Sequence, residues 1–196
     1  ALLVVETLGI ETINIDITPI VDSYVEEGNL SRIRLGNFIA RVRMTVLFDL
    51  SAQFKALVVG TSNKSELLLG YGTLYGDLAS AFFPLGDLYK TQVRQLAKDV
   101  GVPERIINKI PSAELWPGQT DEGEIGLTYD EMDKILYALV DEQKSPSDLI
   151  KEGFKEQSIN LIIKRVKENH FKRTLPLIPK LSYRTIGLDF LYLRDW

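Results

Sequence analysis

Three side chains that can bind a phosphorylated substrate follow one apolar run of the sequence. The segment VVGTSNKSELLLGYGTLYGD (58–77) supplies Thr61, Lys64 and Glu66. The run ALVVG (56–60) is continuous and closed by glycine, which predicts a strand buried on both faces of a parallel sheet. In open parallel sheets, ligands bind beyond the carboxyl ends of the strands. These residues therefore stand where a nucleotide with its magnesium would bind, because hard cations prefer carboxylate oxygens.

A simpler structural role is open for the same carboxylate. Asn63 is followed three residues later by Glu66. This spacing is typical of a capping box, in which each side chain bonds the other residue's backbone N–H at a helix start. The cap and the magnesium ligand compete for the Glu66 oxygens, and the sequence leaves both interpretations open.

The composition excludes several classes of function. Of the 196 residues, 45% are hydrophobic and 26% are charged, as in an ordinary globular protein. The net charge of −4 and the pI near 5.2 favour neither a nucleic-acid nor a membrane partner. The chain has no cysteine and a single histidine, so thiolate sites and two-histidine metal sites within one chain are excluded. No apolar stretch approaches the ~20 residues that would span a bilayer.

Apolar periodicity predicts strands that alternate with helices. The predicted strands cover residues 11–17, 56–60 and 81–85. The predicted helices cover residues 1–9, 19–28, 36–53, 89–101, 103–110, 128–137, 145 onwards and 155–169. An acidic loop is expected over 116–127 and an irregular tail from Thr174. This order argues for an α/β fold with a mainly parallel sheet and a helical C-terminal portion.

The predicted helix 36–53 has two distinct faces. Asn37, Arg41 and Thr45 are spaced four apart, so they share one face and can contact one ligand. The apolar stripe that we expect to be buried comprises Ile39, Val42, Val46, Leu47 and Leu50.

Several long segments together resemble the NAD synthetases. The segments are VVGTSNKSE (58–66), GYGTLYGD (70–77), DLYKTQV (87–93), PSAELWPGQTDE (111–122) and LGNFIARVRM (35–44), the last similar to the family's NxxAR helix. They occur in the family's order and spacing from about residue 9 to about residue 179. The resemblance implies a Rossmann-like fold of the ATP pyrophosphatase group, related to the adenine nucleotide alpha-hydrolases, and one synthetase domain over residues 1–196.

The reaction that this resemblance implies is the conversion of the nicotinate carboxylate of deamido-NAD to an amide. ATP activates the carboxylate as an acyl-adenylate with release of pyrophosphate, and ammonia then displaces AMP. Negative charge on the α-phosphate must be stabilised by Mg²⁺ and fixed cations. Ammonia must be neutral to react, so a nearby acceptor for its proton helps. The implied setting is a cytoplasmic homodimer or larger assembly.

The resemblance also implies site residues, position by position. The ATP-binding positions are matched by Thr61, Lys90 and Ser112. The magnesium carboxylate is matched by Glu66. The positions that bind deamido-NAD are matched by Asn37, Arg41, Asp77 and Lys172. No catalytic residue is assigned.

Most of the assigned residues have an ordinary alternative role. Lys90 and Arg41 could be solvated helix residues, and Ser112 could be an N-cap. Asp77 could simply close a turn. Lys172 could compensate the dipole of a preceding helix.

The chain departs from the ammonia-using pattern at the substrate rim. Members that use free ammonia usually have a lysine where this chain has Leu74 and an acid where it has Ala81. TLYGD (73–77) is more similar to the synthetase half of the glutamine-dependent enzymes. We therefore expect ammonia to come from glutamine through a linked or partner amidase, with free ammonia as the alternative. The family histidine would fall at Phe171, and we expect His170 to be an exposed helix-end residue.

The family's phosphate loop, SGGxDS, has no counterpart in the 196 residues. We expect the strand, loop and helix that carry it to precede Ala1 in the parent protein, and the 196-residue polypeptide alone to be inactive. Two other functions remain open. One is a different ATP pyrophosphatase amidotransferase, similar to GMP synthetase, against which the LWPGQTDE loop argues. The other is a non-catalytic module that binds an adenine nucleotide.

Overall fold

A computed structural model describes residues 2–25 and 30–191 of the protein. These two ranges contain ten α-helices and one 3-10 helix. The helices are α1 (Leu2–Leu8), α2 (Thr18–Val25), α3 (Arg32–Phe54), α4 (Lys64–Leu69), α5 (Lys90–Asp99), α6 (Glu104–Ile107), α7 (Asp121–Ile125), α8 (Tyr129–Val140), α9 (Pro146–Lys151), α10 (Glu156–Glu168) and the 3-10 helix His170–Arg173. The helix stop predicted at Gly28 lies outside the described residues.

Two of the predicted strands lie side by side without forming a regular ladder. Val59 forms an isolated parallel bridge with Phe82. The Gly60 N–H donates to the Phe82 carbonyl at 2.9 Å, and the Ala81 N–H donates to the Val58 carbonyl at 2.9 Å. Residues 2–25 and 30–191 contain no longer strand, so the mainly parallel sheet is represented here by this one contact.

Two strand predictions were wrong for the described structure. Residues 11–17 have no regular secondary structure, because alternation alone does not make a strand where no neighbouring strand pairs with it. The run 56–60 is not buried on both faces: Leu57 is 71% exposed and Val59 is 51% exposed.

The long helix α3 begins four residues before the predicted start at Gly36, ends one residue after the predicted end, and differs in one buried position. It begins at the N-cap Ser31, whose side chain accepts the Arg34 N–H, and ends at Lys55 in the left-handed conformation. Val42 is buried, and the other members of the predicted stripe are partly buried except Leu47, which is 50% exposed. Leu47 differs because it lines the large cavity described below.

The apolar core of the described residues lies where α4 and the N-terminal end of α5 pack against α8, α9 and α10. In α8, Met132, Ile135 and Leu136 recur three and four residues apart and are fully buried. Thr128 caps the start of α8, where its side chain accepts the Glu131 N–H. The predicted loop 116–127 was wrong in one respect, because it contains the short helix α7, which is capped by Thr120.

The tail after Thr174 contains no helix up to residue 191, as predicted. His170 is exposed at the start of the 3-10 helix, also as predicted. No helix within residues 2–25 and 30–191 combines the length and apolarity that a membrane crossing needs.

Candidate functional site

One large cavity collects seven of the eight site residues inferred from the sequence. Its volume is about 1110 Å³. The predicted site residues on its wall are Asn37, Thr61, Glu66, Asp77, Lys90, Ser112 and Lys172. The eighth, Arg41, is not part of the wall. Residues that are up to 135 positions apart in the sequence, from Asn37 to Lys172, thus face one space.

The Glu66 carboxylate is shared between a helix cap and a cation. Asn63 Oδ1 accepts the Glu66 N–H at 3.1 Å, and Glu66 Oε2 accepts the Asn63 N–H at 3.1 Å, so the predicted capping box is confirmed. The other oxygen, Oε1, lies 3.0 Å from Lys90 Nζ. The side chains of Glu66 and Lys90 are only 15% and 22% exposed. The cap therefore leaves one Glu66 oxygen directed to a cation.

A buried serine–aspartate pair fixes the start of α5, where Lys90 lies. The Ser65 hydroxyl donates to Asp133 Oδ1 at 2.5 Å and accepts the Lys90 N–H at 2.9 Å. Asp133 Oδ2 accepts the Thr91 N–H at 2.8 Å. Ser65 and Asp133 are 0% and 5% exposed. The first two N–H groups of α5, which have no partner within the helix, are thus bonded to the Ser65 hydroxyl and to the buried Asp133 carboxylate. The negative charge of Asp133 favours the positive end of the helix.

A second buried network lies beside Lys90. The Tyr71 hydroxyl donates to Glu124 Oε2 at 2.7 Å and lies 3.0 Å from Asp121 Oδ1. The Tyr129 hydroxyl donates to Asp121 Oδ2 at 3.0 Å. Burial, followed by the neighbouring carboxylates, raises the pKa of both tyrosines, so each remains a hydrogen-bond donor. The network holds the acidic helix α7 against the core.

The turn 73–77 connects α3 to the cavity. Asp77 Oδ1 accepts the Thr73 N–H at 2.8 Å, so Asp77 does close a turn while its residue lines the cavity. The Thr73 hydroxyl donates to Asn37 Oδ1 at 2.8 Å. Arg41 Nε donates to the Leu74 carbonyl at 3.2 Å. Asn37 and Arg41 are therefore brought to the same turn, as their shared helix face predicts, but Arg41 supports it from outside the cavity.

The C-terminal segment is held to α4 by two basic side chains. Lys172 Nζ donates to the carbonyls of Gly70 and Gly72 at 2.7 and 2.9 Å. The Arg173 guanidinium donates to the Leu68 carbonyl at 2.7 Å and to the Val166 carbonyl at 2.9 Å, at the ends of α4 and α10. Burial lowers the pKa of Lys172, although Asp77 opposes this shift. Lys172 is thus more than a surface compensation of a helix dipole.

Gly70 makes this contact possible. It ends α4 in the left-handed conformation with φ of 62°. A Cβ at this position would lie 2.2 Å from the Cβ of Asn169. Only glycine therefore allows the end of α4 to approach the segment that carries Lys172.

Ser112 does not act as a helix N-cap. Its hydroxyl accepts the Glu114 N–H at 3.1 Å in a turn, and no helix begins there. This hydroxyl turn leaves Ser112 on the cavity wall, across from α5. Thr61 is exposed at the start of the same wall, directly after the bridge at Val59.

Comparisons with known proteins agree with this geometry. The family model described as NAD synthase matches residues 1–176. The chain belongs to the NAD synthase family. The NH(3)-dependent NAD(+) synthetase of Trichlorobacter lovleyi is 55% identical over 197 residues, which cover 100% of this chain and 72% of that protein.

Two solved structures of similar proteins establish the fold. The NMN synthetase of Francisella tularensis superposes with a TM-score of 0.79 at 36% identity, covering 91% of this chain and 70% of that one. The NH3-dependent NAD synthetase of Campylobacter jejuni gives a TM-score of 0.74 at 37% identity, covering 92% and 70%. The chain therefore has the Rossmann-like fold class of the NAD synthase family.

Sequence reasoning missed several residues of this NAD synthase cavity. They are Arg43, Tyr71, Arg94, Asp121 and Glu124. The signal for Arg94 was present, since it follows Lys90 by four positions on the predicted helix 89–101. The acids carried no comparable signal, because an acidic stretch that contains glycines is also typical of a solvated loop.

The donor set of the cavity fits a magnesium ion that arrives with a nucleotide. Residues 2–25 and 30–191 contain no group of three or more side chains placed to hold a metal by themselves. Mg²⁺ is commonly held by one or two carboxylates together with substrate phosphates. Glu66, a carboxylate on the cavity wall beside Lys90, has the chemistry that such an ion needs from the protein.

Proposed function

We propose that this protein catalyses the ATP-dependent amidation of deamido-NAD to NAD. The observation that carries this proposal is the gathering of seven separately inferred site residues around one cavity. At about 1110 Å³ the cavity is also larger than the ~300–1000 Å³ typical of a site for one small ligand. It therefore has room for much of two nucleotides at once.

ATP is assigned to the end of the cavity formed by Thr61, Lys90 and Ser112. Lys90 supplies a fixed positive charge for the phosphates, and the two hydroxyls supply hydrogen bonds. Glu66 would provide a carboxylate oxygen for Mg²⁺, which would stabilise negative charge on the α-phosphate that is attacked. In this structure Glu66 pairs with Lys90 at 3.0 Å.

Deamido-NAD is assigned to a second part of the cavity, at the turn 73–77. Asn37, Asp77 and Lys172 lie on the wall there, and Arg41 holds the turn through the Leu74 carbonyl. Lys172 is tied to two backbone carbonyls, so its ammonium is oriented before the substrate binds. A preoriented cation binds with less loss of side-chain entropy.

The reaction joins the two parts of the cavity. A nicotinate carboxylate oxygen attacks the α-phosphorus, the bond to the β-phosphate oxygen breaks, and pyrophosphate leaves. The nitrogen of neutral ammonia then attacks the acyl carbon, AMP leaves with the electron pair of the acyl–oxygen bond, and a proton is lost from nitrogen. Fixed cations lower the repulsion between the carboxylate and the phosphates in the first step.

For the nitrogen source we propose free ammonia. The relatives from Trichlorobacter lovleyi and Campylobacter jejuni are named NH3-dependent, and each covers at least 92% of this chain. This choice replaces the expectation of glutamine that was drawn from Leu74 and Ala81. Neither residue lines the cavity, so their departure from the usual pattern does not decide the nitrogen source.

A second candidate substrate is supported by one comparison. The Francisella tularensis protein is named an NMN synthetase and superposes with a TM-score of 0.79. Formation of NMN by the same chemistry would amidate a nicotinate mononucleotide rather than a dinucleotide. The two substrates share the nicotinate carboxylate and differ in the adenylate half.

We further propose that residues 1–196 form one synthetase domain. A mainly parallel sheet is proposed to extend from the bridge at Val59 and Phe82. The enzyme is proposed to be a cytoplasmic homo-oligomer. The parallel bridge supports the direction of the sheet. The similarity to NAD synthetases supports the remaining points.

The test is a direct assay of AMP and dinucleotide formation. The full-length parent protein is incubated with magnesium ATP and either deamido-NAD or nicotinate mononucleotide, with ammonium or with glutamine. We expect NAD and AMP in equal amounts with deamido-NAD and ammonium. Faster turnover of the mononucleotide would favour the second candidate. Dependence on glutamine with no response to ammonium would contradict the proposed nitrogen source.

A further inference from the structure

Arg94 lies one helical turn after Lys90 on α5 and lines the same cavity. Lys90 Nζ is 5.3 Å from the centre of the Tyr129 ring, and the Arg94 guanidinium carbon is 5.8 Å from that centre. Both distances are typical of cation–π contacts. One aromatic ring therefore holds the two cations on the same side of the helix.

The two cations differ in their partners. Lys90 is paired with Glu66 at 3.0 Å. Within residues 2–25 and 30–191, no carboxylate lies within 4.0 Å of the Arg94 guanidinium. A planar guanidinium with five donors and no acidic partner is suited to bidentate binding of phosphate.

The position of both cations is fixed by buried groups. Ser65 and Asp133 bond the first N–H groups of α5, and Asp133 is only 5% exposed. The Tyr129 ring, in turn, is fully buried and its hydroxyl is bonded to Asp121. The helix and the ring thus present Lys90 and Arg94 without reorganisation when an anion enters, which is how preorganised charge lowers a barrier.

We propose that Arg94 is a second phosphate-binding residue, which takes the β- and γ-phosphates of ATP and holds the pyrophosphate that leaves. This inference rests on the proposed function, because it takes the Lys90 end of the cavity as the nucleotide end. When the bond between the α-phosphorus and the bridging oxygen breaks, its electron pair goes to the oxygen of the leaving pyrophosphate. The Arg94 guanidinium stabilises that growing charge, while Lys90 and Glu66 act nearer the α-phosphate.

The experiment compares Arg94→Gln with wild type, both made in the full-length parent protein, in two measurements. Calorimetry with inorganic pyrophosphate gives its dissociation constant without any turnover. Steady-state kinetics give KM separately for magnesium ATP and for deamido-NAD. We expect Arg94→Gln to weaken pyrophosphate binding and to raise the KM for ATP by about 10- to 100-fold, as for loss of a charge-assisted bidentate contact. The KM for deamido-NAD should change by less than about twofold, because the proposed deamido-NAD residues do not contact Arg94 and the effects of changes at separate sites are usually independent.

Lys98→Gln is the matched control. Lys98 lies four residues beyond Arg94 on α5, but it is exposed and does not line the cavity. Its replacement removes the same unit of charge and should change pyrophosphate binding by less than about twofold, because exposed charges are screened by salt. Arg94→Lys keeps the positive charge but lacks the planar guanidinium, so we expect a dissociation constant for pyrophosphate between those of wild type and Arg94→Gln. If Arg94→Gln does not fold, Arg94→Lys is measured in its place.

The outcomes separate this inference from the proposed function. Pyrophosphate binding by Arg94→Gln as tight as that of wild type would overturn the role of Arg94, and so would an equal loss in Lys98→Gln. Equal increases in both KM values would also overturn it, because they indicate a general disturbance of the cavity. A wild-type protein that binds pyrophosphate but forms no AMP would instead count against the proposed function.

Discussion

Replacing Glu66 by glutamine separates its role in folding from its role in chemistry. One Glu66 oxygen accepts the Asn63 N–H and the other lies 3.0 Å from Lys90 Nζ. Glutamine keeps the shape and can still complete a capping box. It presents one oxygen instead of two, however, and it carries no charge for Lys90 or for Mg²⁺.

The expected cost to stability is modest. The Glu66 and Lys90 side chains are 15% and 22% exposed, so their bond is partly shielded from water. Loss of this charge-assisted bond should lower the free energy of unfolding by about 1–2 kcal/mol, between values for surface pairs and for buried charged hydrogen bonds. For a protein of this size such a loss lowers the melting temperature by about 2–8 °C.

The expected cost to catalysis is larger. A lost metal ligand in phosphoryl-transfer chemistry removes several kcal/mol of transition-state stabilisation, so kcat should fall at least about 100-fold. The assay is AMP formation at saturating magnesium and saturating substrates, together with the melting temperature of each variant.

Asn63→Ala provides the matched control. It removes the side chain that caps the Glu66 N–H and leaves the contact between Glu66 and Lys90 in place. The loss of an N-cap should cost about 0.5–2 kcal/mol of stability. We expect its kcat to stay within a few-fold of wild type. If Glu66→Gln and Asn63→Ala instead lose stability equally and both retain kcat, Glu66 is only a capping residue and the magnesium assignment fails.

Two further predictions concern the C-terminal helices. Arg173→Lys should lose one of the two carbonyl contacts at the ends of α4 and α10, which should lower the free energy of unfolding by about 1 kcal/mol. Because Lys172 is adjacent, the KM for deamido-NAD should also rise. A melting curve and a KM that both match wild type would contradict this prediction. The Ser145 hydroxyl, and next Lys151, lower the pKa of Asp148 from 3.8 to about 2. The stability that Asp148 contributes is therefore present above its unfolded pKa and lost as the pH falls towards 2. In Asp148→Asn, the urea midpoint of unfolding should therefore depend less on pH between about 4 and 2. A pH dependence equal to that of wild type would show that the contact is absent in solution.

The sequence determined the local structure of this protein and the identity of most site residues. Helix starts were readable at Asn63, Thr128 and Ser145, because an N-cap side chain bonds a backbone N–H only three residues away. Glu66 and Lys90 were identified because the motifs that contain them are long and occur in a fixed order. The N-cap signal lies within a few residues of each helix start.

The strands could not be predicted with the same success. Residues 11–17 alternate as a strand should, and the run 56–60 is as apolar as a buried strand, yet of these two segments only the second makes a bridge, from Val59 to Phe82. A strand obtains its hydrogen bonds and its burial from distant segments. Its formation is therefore a property of the surroundings rather than of the run itself.

Tertiary structure alone decided how the site residues are held. Nothing in the sequence indicated that Asp133, 43 positions after Lys90, would fix the helix that carries it, or that Lys172 would bond the carbonyls of Gly70 and Gly72. It also left the two roles of Glu66 as alternatives, whereas the structure divides them between the two oxygens of one carboxylate. The physical reason is that a short polar pattern fixes which groups are available, while the direction of each bond depends on which buried partners the rest of the chain brings within about 3 Å.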